Sequence, residues 1–91
     1  MAKVIITLKI LPKSPDIPLT SLKTSTENEI KKYGGIINKT EEVPLAFGLK
    51  EIHITFSIDE SKGGTDALEA KIQLIPEIQS VNVISCSRAL G

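Results

Sequence analysis

The residues able to do chemistry are few. His53 is the one histidine and Cys86 the one cysteine. A lone cysteine forms no internal disulfide, and with a single histidine it cannot complete a tetrahedral zinc site. No base lies beside Cys86 in the sequence, so it reads as a buried, apolar-like thiol rather than a nucleophile. His53 alternates with Thr55 and Ser57 on the less apolar side of a strand. With no carboxylate or cysteine near it in the sequence, it reads as a solvated imidazole rather than a catalytic base. Glu41 and Glu42 are paired carboxylates by type, but neighbours on a strand point to opposite faces and cannot jointly flank a substrate. They suit a solubilised sheet edge. Gly63-Gly64-Thr65-Asp66 resembles an anion cradle only in its glycines: the phosphate-loop spacing is missing, and Lys62 precedes the glycines instead of following them. A turn with a helix cap is the simpler reading.

Two residues stand apart from this list. Phe47 lies in Pro44-Leu45-Ala46-Phe47-Gly48-Leu49, an apolar tip where a connection between strands should be polar. Periodicity leaves two readings open: an exposed ring offered to a protein partner, or a ring folded back to cap the core. Arg88 stands near the end of the sequence and, taken alone, reads as a solvated charge.

Composition narrows the field further. Eleven basic and eleven acidic side chains leave no net charge across 91 residues, which removes the electrostatic attraction expected of a nucleic-acid or anionic-membrane binder. Only Tyr33, Phe47 and Phe56 are aromatic, so the stacking platform of an RNA-recognition sheet is missing. No apolar run approaches the roughly 20 residues of a membrane span. Lys9 interrupts what would be a signal peptide's apolar region, and a cytoplasmic protein is expected. A hydrophobic fraction of 41% and this length predict one domain with one modest core, spanning residues 1–91.

The elements follow from period. Lys3 to Leu11 alternates as a strand, and Pro12 with Ser14-Pro15-Asp16 ends it. From Pro18, the spacing of Leu19, Leu22, Thr26, Ile30 and Tyr33 predicts a helix that stops at Gly34-Gly35. Ile36 to Val43 reads as a polar edge strand. Leu49 to Ile58 is a strand with Ile52, Ile54, Phe56 and Ile58 on its buried side. Thr65 and Asp66 can cap a short second helix through Leu68, Ile72 and Ile75, ended by Pro76. Ile78 to Arg88 gives a last strand through Val81, Val83 and Ile84. The order β-α-β-β-α-β predicts a ferredoxin-like α+β plait: a four-stranded antiparallel sheet, order 4-1-3-2, with both helices on one face. Phe47 and Arg88 then fall at opposite ends of the sheet.

Fold alone does not supply function. The residues do, however, resemble a family, the archaeal elongation factor 1-beta proteins, over nearly the whole chain. The likeness rests on Pro44-Leu45-Ala46-Phe47-Gly48-Leu49-Lys50-Glu51-Ile52, on Lys62-Gly63-Gly64-Thr65-Asp66-Ala67-Leu68-Glu69 and on Ile78-Gln79-Ser80-Val81-Asn82-Val83. The resemblance implies a guanine nucleotide exchange factor of translation elongation, without covalent chemistry and without a cofactor of its own. It would act on GDP, GTP and magnesium held by its partner, the elongation factor 1-alpha GTPase. It further implies that Phe47 docks on the GTPase and that Arg88 reaches the magnesium and phosphate site. The eukaryotic factor carries a lysine as its next-to-last residue, whereas here arginine is followed by Ala89-Leu90-Gly91. Lys50 and Lys62 are further candidates for partner contact, a solvated position being the simpler reading for both.

Two rival readings come from other classes. A ferredoxin-like sensor domain would bind an amino acid or metal ion between subunits, using Gly63-Gly64 as its ligand loop. An acylphosphatase-like enzyme needs an arginine in a phosphate loop after the first strand, and Leu11-Pro12-Lys13-Ser14-Pro15 has none.

Overall fold

A computed structural model describes residues 3–62 and 64–89. The elements are β1 (Lys3–Pro12), α1 (Leu19–Tyr33), β2 (Ile36–Pro44), β3 (Lys50–Asp59), α2 (Asp66–Gln73) and β4 (Ile78–Ala89). The strands form one sheet in the order β2-β3-β1-β4, with every neighbouring pair antiparallel. This is the plait and the strand order that the sequence predicts, read from the other edge.

Alternation decides which face is covered. Ile6, Leu8 and Ile10 of β1 and Ile52, Ile54, Phe56 and Ile58 of β3 are buried; Ile6 pairs with Phe56, Leu8 with Ile54 and Ile10 with Ile52, while Ile58 lies opposite the half-buried Val4. Leu22 and Ile30 of α1 and Leu68 and Ile72 of α2 close over them in a single core. Thr26 is also buried on α1, and its hydroxyl donates to the Leu22 carbonyl at 2.9 Å, which removes the cost of an unpaired polar group. The other face carries a polar ladder, including Thr7 against Thr55 at 3.0 Å and Asn38 donating to Ser57 at 2.8 Å.

The end of α1 shows why two glycines stand together. Gly34 takes the left-handed conformation at φ 100°, and its amide and that of Gly35 cap the last carbonyls of the helix. At Gly35 a Cβ would lie 2.6 Å from Cγ2 of Ile30 and 3.1 Å from Cδ2 of Phe56. The chain must pass this close to the core before β2 can begin. Among the described residues no helix is long and apolar enough to cross a membrane.

Several local expectations need correction. The second helix ends at Gln73, so Ile75 lies beyond it. Leu49 lies outside β3, which starts at Lys50, because Leu49 closes the preceding turn by donating to Ala46. Thr65 stands at the N-terminal cap of α2, yet its hydroxyl meets the Glu69 carboxylate at 3.0 Å and caps no backbone amide. His53 does have a carboxylate beside it: Glu51, two residues earlier on the same face, lies 3.3 Å from Nε2. Cys86 is exposed, not buried. Its Cα partner is Ile6, so it shares the helix-bearing face, but burial along β4 fades beyond Val81 and Cys86 lies in that exposed stretch. Of the glycine pair in the suspected anion cradle, Gly63 lies outside the described residues, as does the tail at Leu90 and Gly91.

Candidate functional sites at the two ends of the sheet

At one end, β2 and β3 are joined by a tight connection. The Leu45 amide donates to the Leu49 carbonyl at 2.6 Å, and a single 3-10 turn, Ala46–Gly48, fills the gap. Phe47 at its apex has φ 62° and ψ 29°, the left-handed region, which costs a bulky L-residue about 1–2 kcal/mol. Its ring is 96% exposed. Of the two readings open in the sequence, the structure therefore keeps the exposed ring. Among the described residues none covers this side chain, and the backbone under it is strained. That combination marks a side chain displayed outward.

Lys50 follows directly. Its ammonium is half-exposed and lies 3.9 Å from Glu42, which also receives a 2.7 Å bond from Lys23 of α1. The Lys23 hydrogen bond and then its charge hold the Glu42 carboxyl below the usual glutamate range, and Lys50 adds to the effect. Glu41 turns the opposite way to Lys39, at 3.3 Å. The two glutamates thus diverge as adjacent strand positions must. An open pocket lined by Pro12, Ser14, Ile17, Leu19, Gly48 and Lys50 lies against the same end.

At the other end stands Arg88. It is opposite Val4, which in turn pairs with Ile58. This placement depends on a register shift in β4: Leu8 pairs with Val83 but Thr7 with Ser85, so Ile84 is an extra, unpaired residue. The shift reverses the parity of everything after it. Val81 and Val83 share the helix-bearing face with Cys86 and Arg88 rather than with Ser85 and Ser87. The Arg88 guanidinium donates from Nη2 to Oε1 of Glu60 at 2.6 Å. Sequence reasoning gave Arg88 no such partner, and with the two residues 28 positions apart no local signal points to it.

The register also fixes the separation. Lys50 pairs with Pro44 at one end and Ile58 shares a rung with Arg88's partner at the other. Eight residue steps along β3 amount to about 26 Å at ~3.3 Å per residue. The exposed ring and the guanidinium serve no common small pocket. His53 joins neither end. It sits mid-strand, paired with Lys9 and Glu41, in a polar network with Glu51. Among the described residues no cluster of three or more histidine, cysteine or acidic side chains could hold a metal ion.

Comparison with known proteins bears on the family and the fold. Residues 5–89 match the family described as the EF-1 guanine nucleotide exchange domain. The chain is 36% identical over 90 residues to elongation factor 1-beta of Methanosphaera stadtmanae, covering 99% of this chain and all of that one. It is 34% identical over 89 residues to elongation factor 1-beta of Methanocaldococcus jannaschii, covering 98% and 100%. Solved structures share the fold at much lower identity. The ACT domain of a GTP pyrophosphokinase from Chlorobium tepidum matches with a TM-score of 0.63 at 12% identity, over 90% of this chain and 99% of that one. The C-terminal domain of the MgtC protein of Mycobacterium tuberculosis matches with 0.63 at 10%, over 96% and 87%. At such identities the likeness concerns the fold alone.

Proposed function

The chain belongs to the EF-1 guanine nucleotide exchange domain family, and on that footing we propose how its two ends share the work of releasing nucleotide. It acts in translation elongation as a guanine nucleotide exchange factor. The GTPase it serves, in this reading, is elongation factor 1-alpha, and residues 1–91 work as one exchange domain. No covalent bond is made or broken, and the protein needs no cofactor of its own.

GDP and magnesium are held in such a GTPase by mutual satisfaction of phosphate, metal and protein oxygens, so spontaneous release is slow. Arg88 brings a positive charge to the place of the magnesium, where the vacated carboxylate or phosphate oxygens accept its planar fork of donors. Contacts elsewhere keep the segments around the nucleotide displaced. The emptied GTPase is thereby stabilised, and because coupling between ligands is reciprocal, nucleotide and exchange factor weaken each other's binding. The prevailing nucleotide concentrations then determine that GTP enters.

Phe47 supplies the anchor. A fully exposed aromatic that enters a pocket on the partner is the type of residue that dominates an interface. Separation of about 26 Å means that the ring and the guanidinium engage different parts of the GTPase, the ring on a neighbouring domain and Arg88 at the nucleotide domain. Lys50, beside the ring, adds positive charge at the anchoring contact.

The match over residues 5–89 carries the exchange reading, and the outward ring with the distant guanidinium supports the division of roles. The test is release of fluorescent GDP from elongation factor 1-alpha with and without this protein. Acceleration is expected; a release rate identical to that of the GTPase alone would end the reading.

A further inference from the structure

Arg88 is already engaged in the free protein. Its guanidinium is bound to Glu60, the residue immediately after β3, at 2.6 Å. Glu60 follows β3 and Arg88 lies in β4, the strands on either side of β1, whose first rung aligns Asp59, Lys3 and Ala89. Two interstrand spacings separate the outer strands, roughly 10 Å, and only long side chains reaching toward each other close that gap. Of the two acidic side chains at this corner, Asp59 is committed locally, accepting the Ser61 amide at 2.9 Å. That leaves Glu60 to face the arginine. Lys3 lies on the rung between them and is exposed.

We propose that Glu60 is a positioning residue that restrains Arg88 in the free factor and must release it before exchange can proceed. The inference rests on the exchange reading above. The donors that Arg88 would present to a carboxylate or phosphate oxygen include the Nη2 donor that Glu60 occupies. A carboxylate in cis therefore competes with the acidic oxygens of the GTPase for one fork of donors. The arginine side chain is 65% exposed and the glutamate 41%. An ion pair so open to water is weak and is screened by salt, so it acts as a brake rather than a block. From the range measured for exposed pairs, removing it quickens GDP release about 1.5- to 5-fold.

The test compares GDP release from elongation factor 1-alpha with the intact chain, Glu60→Gln, Arg88→Ala and the double variant, at subsaturating factor in low and in high salt. Glu60→Gln is expected to be faster than the parent by that factor, with the advantage vanishing as salt rises. In the Arg88→Ala background the same substitution is expected to change nothing, because no guanidinium remains to release. An unchanged or slower Glu60→Gln, or an effect that persists without Arg88, would overturn the restraint while leaving the exchange function standing. An intact chain that fails to accelerate release at all would instead overturn the exchange reading, and the restraint with it. Chemical denaturation of the Glu60→Gln variant, expected to show one cooperative transition like the parent's, separates an altered brake from an altered fold.

Discussion

Arg88 faces Val4 across the β4–β1 ladder only because Ile84 is an extra residue in β4. In an unbroken register Ile84 would pair with Thr7, and Arg88 would fall opposite Lys3 with its side chain on the polar face of the sheet. The bulge moves it to the other face, within reach of Glu60. One unpaired residue therefore decides which surface presents the guanidinium.

Replacement of Arg88 is expected to separate binding from exchange. Arg88→Ala is expected to bind the nucleotide-free GTPase while releasing GDP about 10- to 100-fold more slowly, the range for losing a hydrogen bond to a charged group. Stopped-flow release alongside a direct binding titration checks this. A parental release rate in the variant removes Arg88 from the mechanism.

Phe47 is expected to trade stability against function. Phe47→Gly relieves a left-handed backbone that disfavours any bulky residue, so the free protein should be as stable as the parent or up to about 1 kcal/mol more so. The same change removes the ring proposed as the anchor and should weaken affinity for the nucleotide-free GTPase by about 30-fold or more, as for an interface hot spot. Denaturant unfolding and a binding isotherm measured on one preparation decide both halves. Unchanged affinity would refute the anchor.

At Gly35 the expectation concerns the fold. An alanine Cβ would meet Ile30 and Phe56, both fully buried, with no free space to retreat into. Gly35→Ala should cost about 1–3 kcal/mol in urea unfolding, the range for an overpacked core. A cost below about 0.5 kcal/mol would mean that the helix end shifts freely.

Acid should weaken the protein in part through Glu42. Its carboxyl titrates lower in the folded state than its ordinary value of 4.5, chiefly through the Lys23 hydrogen bond. A carboxyl lowered by folding contributes stability that is fully present above its unfolded value and is lost as pH falls through the folded one. The contribution should thus be constant at neutral pH and disappear below about 4.5. Asp59, lowered mainly by the Ser61 amide, behaves likewise from 3.8 downward. Thermal unfolding of Glu42→Gln should show a shallower decline over this range than the parent. Parallel curves would mean that the Lys23 contact does not persist in solution.

Much of this architecture is written in local pattern. β1 and β3 bury one side each, so a period of two reveals both strands and their core faces. Gly34-Gly35 marks a helix end because only glycine meets the left-handed cap and the close pass at Phe56. Phe47 is conspicuous because a large ring in a turn has no local reason to be there. What pattern cannot reveal is register. Val83 and Ile84 are both apolar, and alternation does not say that one of them is an extra residue, so the faces of Cys86 and Arg88 stay undetermined. The Glu60 contact depends on two strands being brought to either side of a third. The Glu51–His53 contact was, by contrast, legible, since residues two apart on a strand share a face.

The separation of the two ends leads to a last, quantitative expectation. Side chains more than about 10 Å apart with no shared partner perturb free energies independently, usually to within 0.5 kcal/mol. Among the described residues Phe47 and Arg88 share no partner, and the sheet holds them about 26 Å apart. If each engages its own region of the GTPase, Phe47→Ala and Arg88→Ala should multiply in their effects on exchange measured at subsaturating factor, agreeing with the product to within about two-fold. Were both to feed one compact pocket, the first loss would leave little for the second to remove, and the double variant would be far better than the product. A four-point cycle of release rates distinguishes the cases, and a coupling much larger than two-fold would show that the two ends do not act as separate contacts.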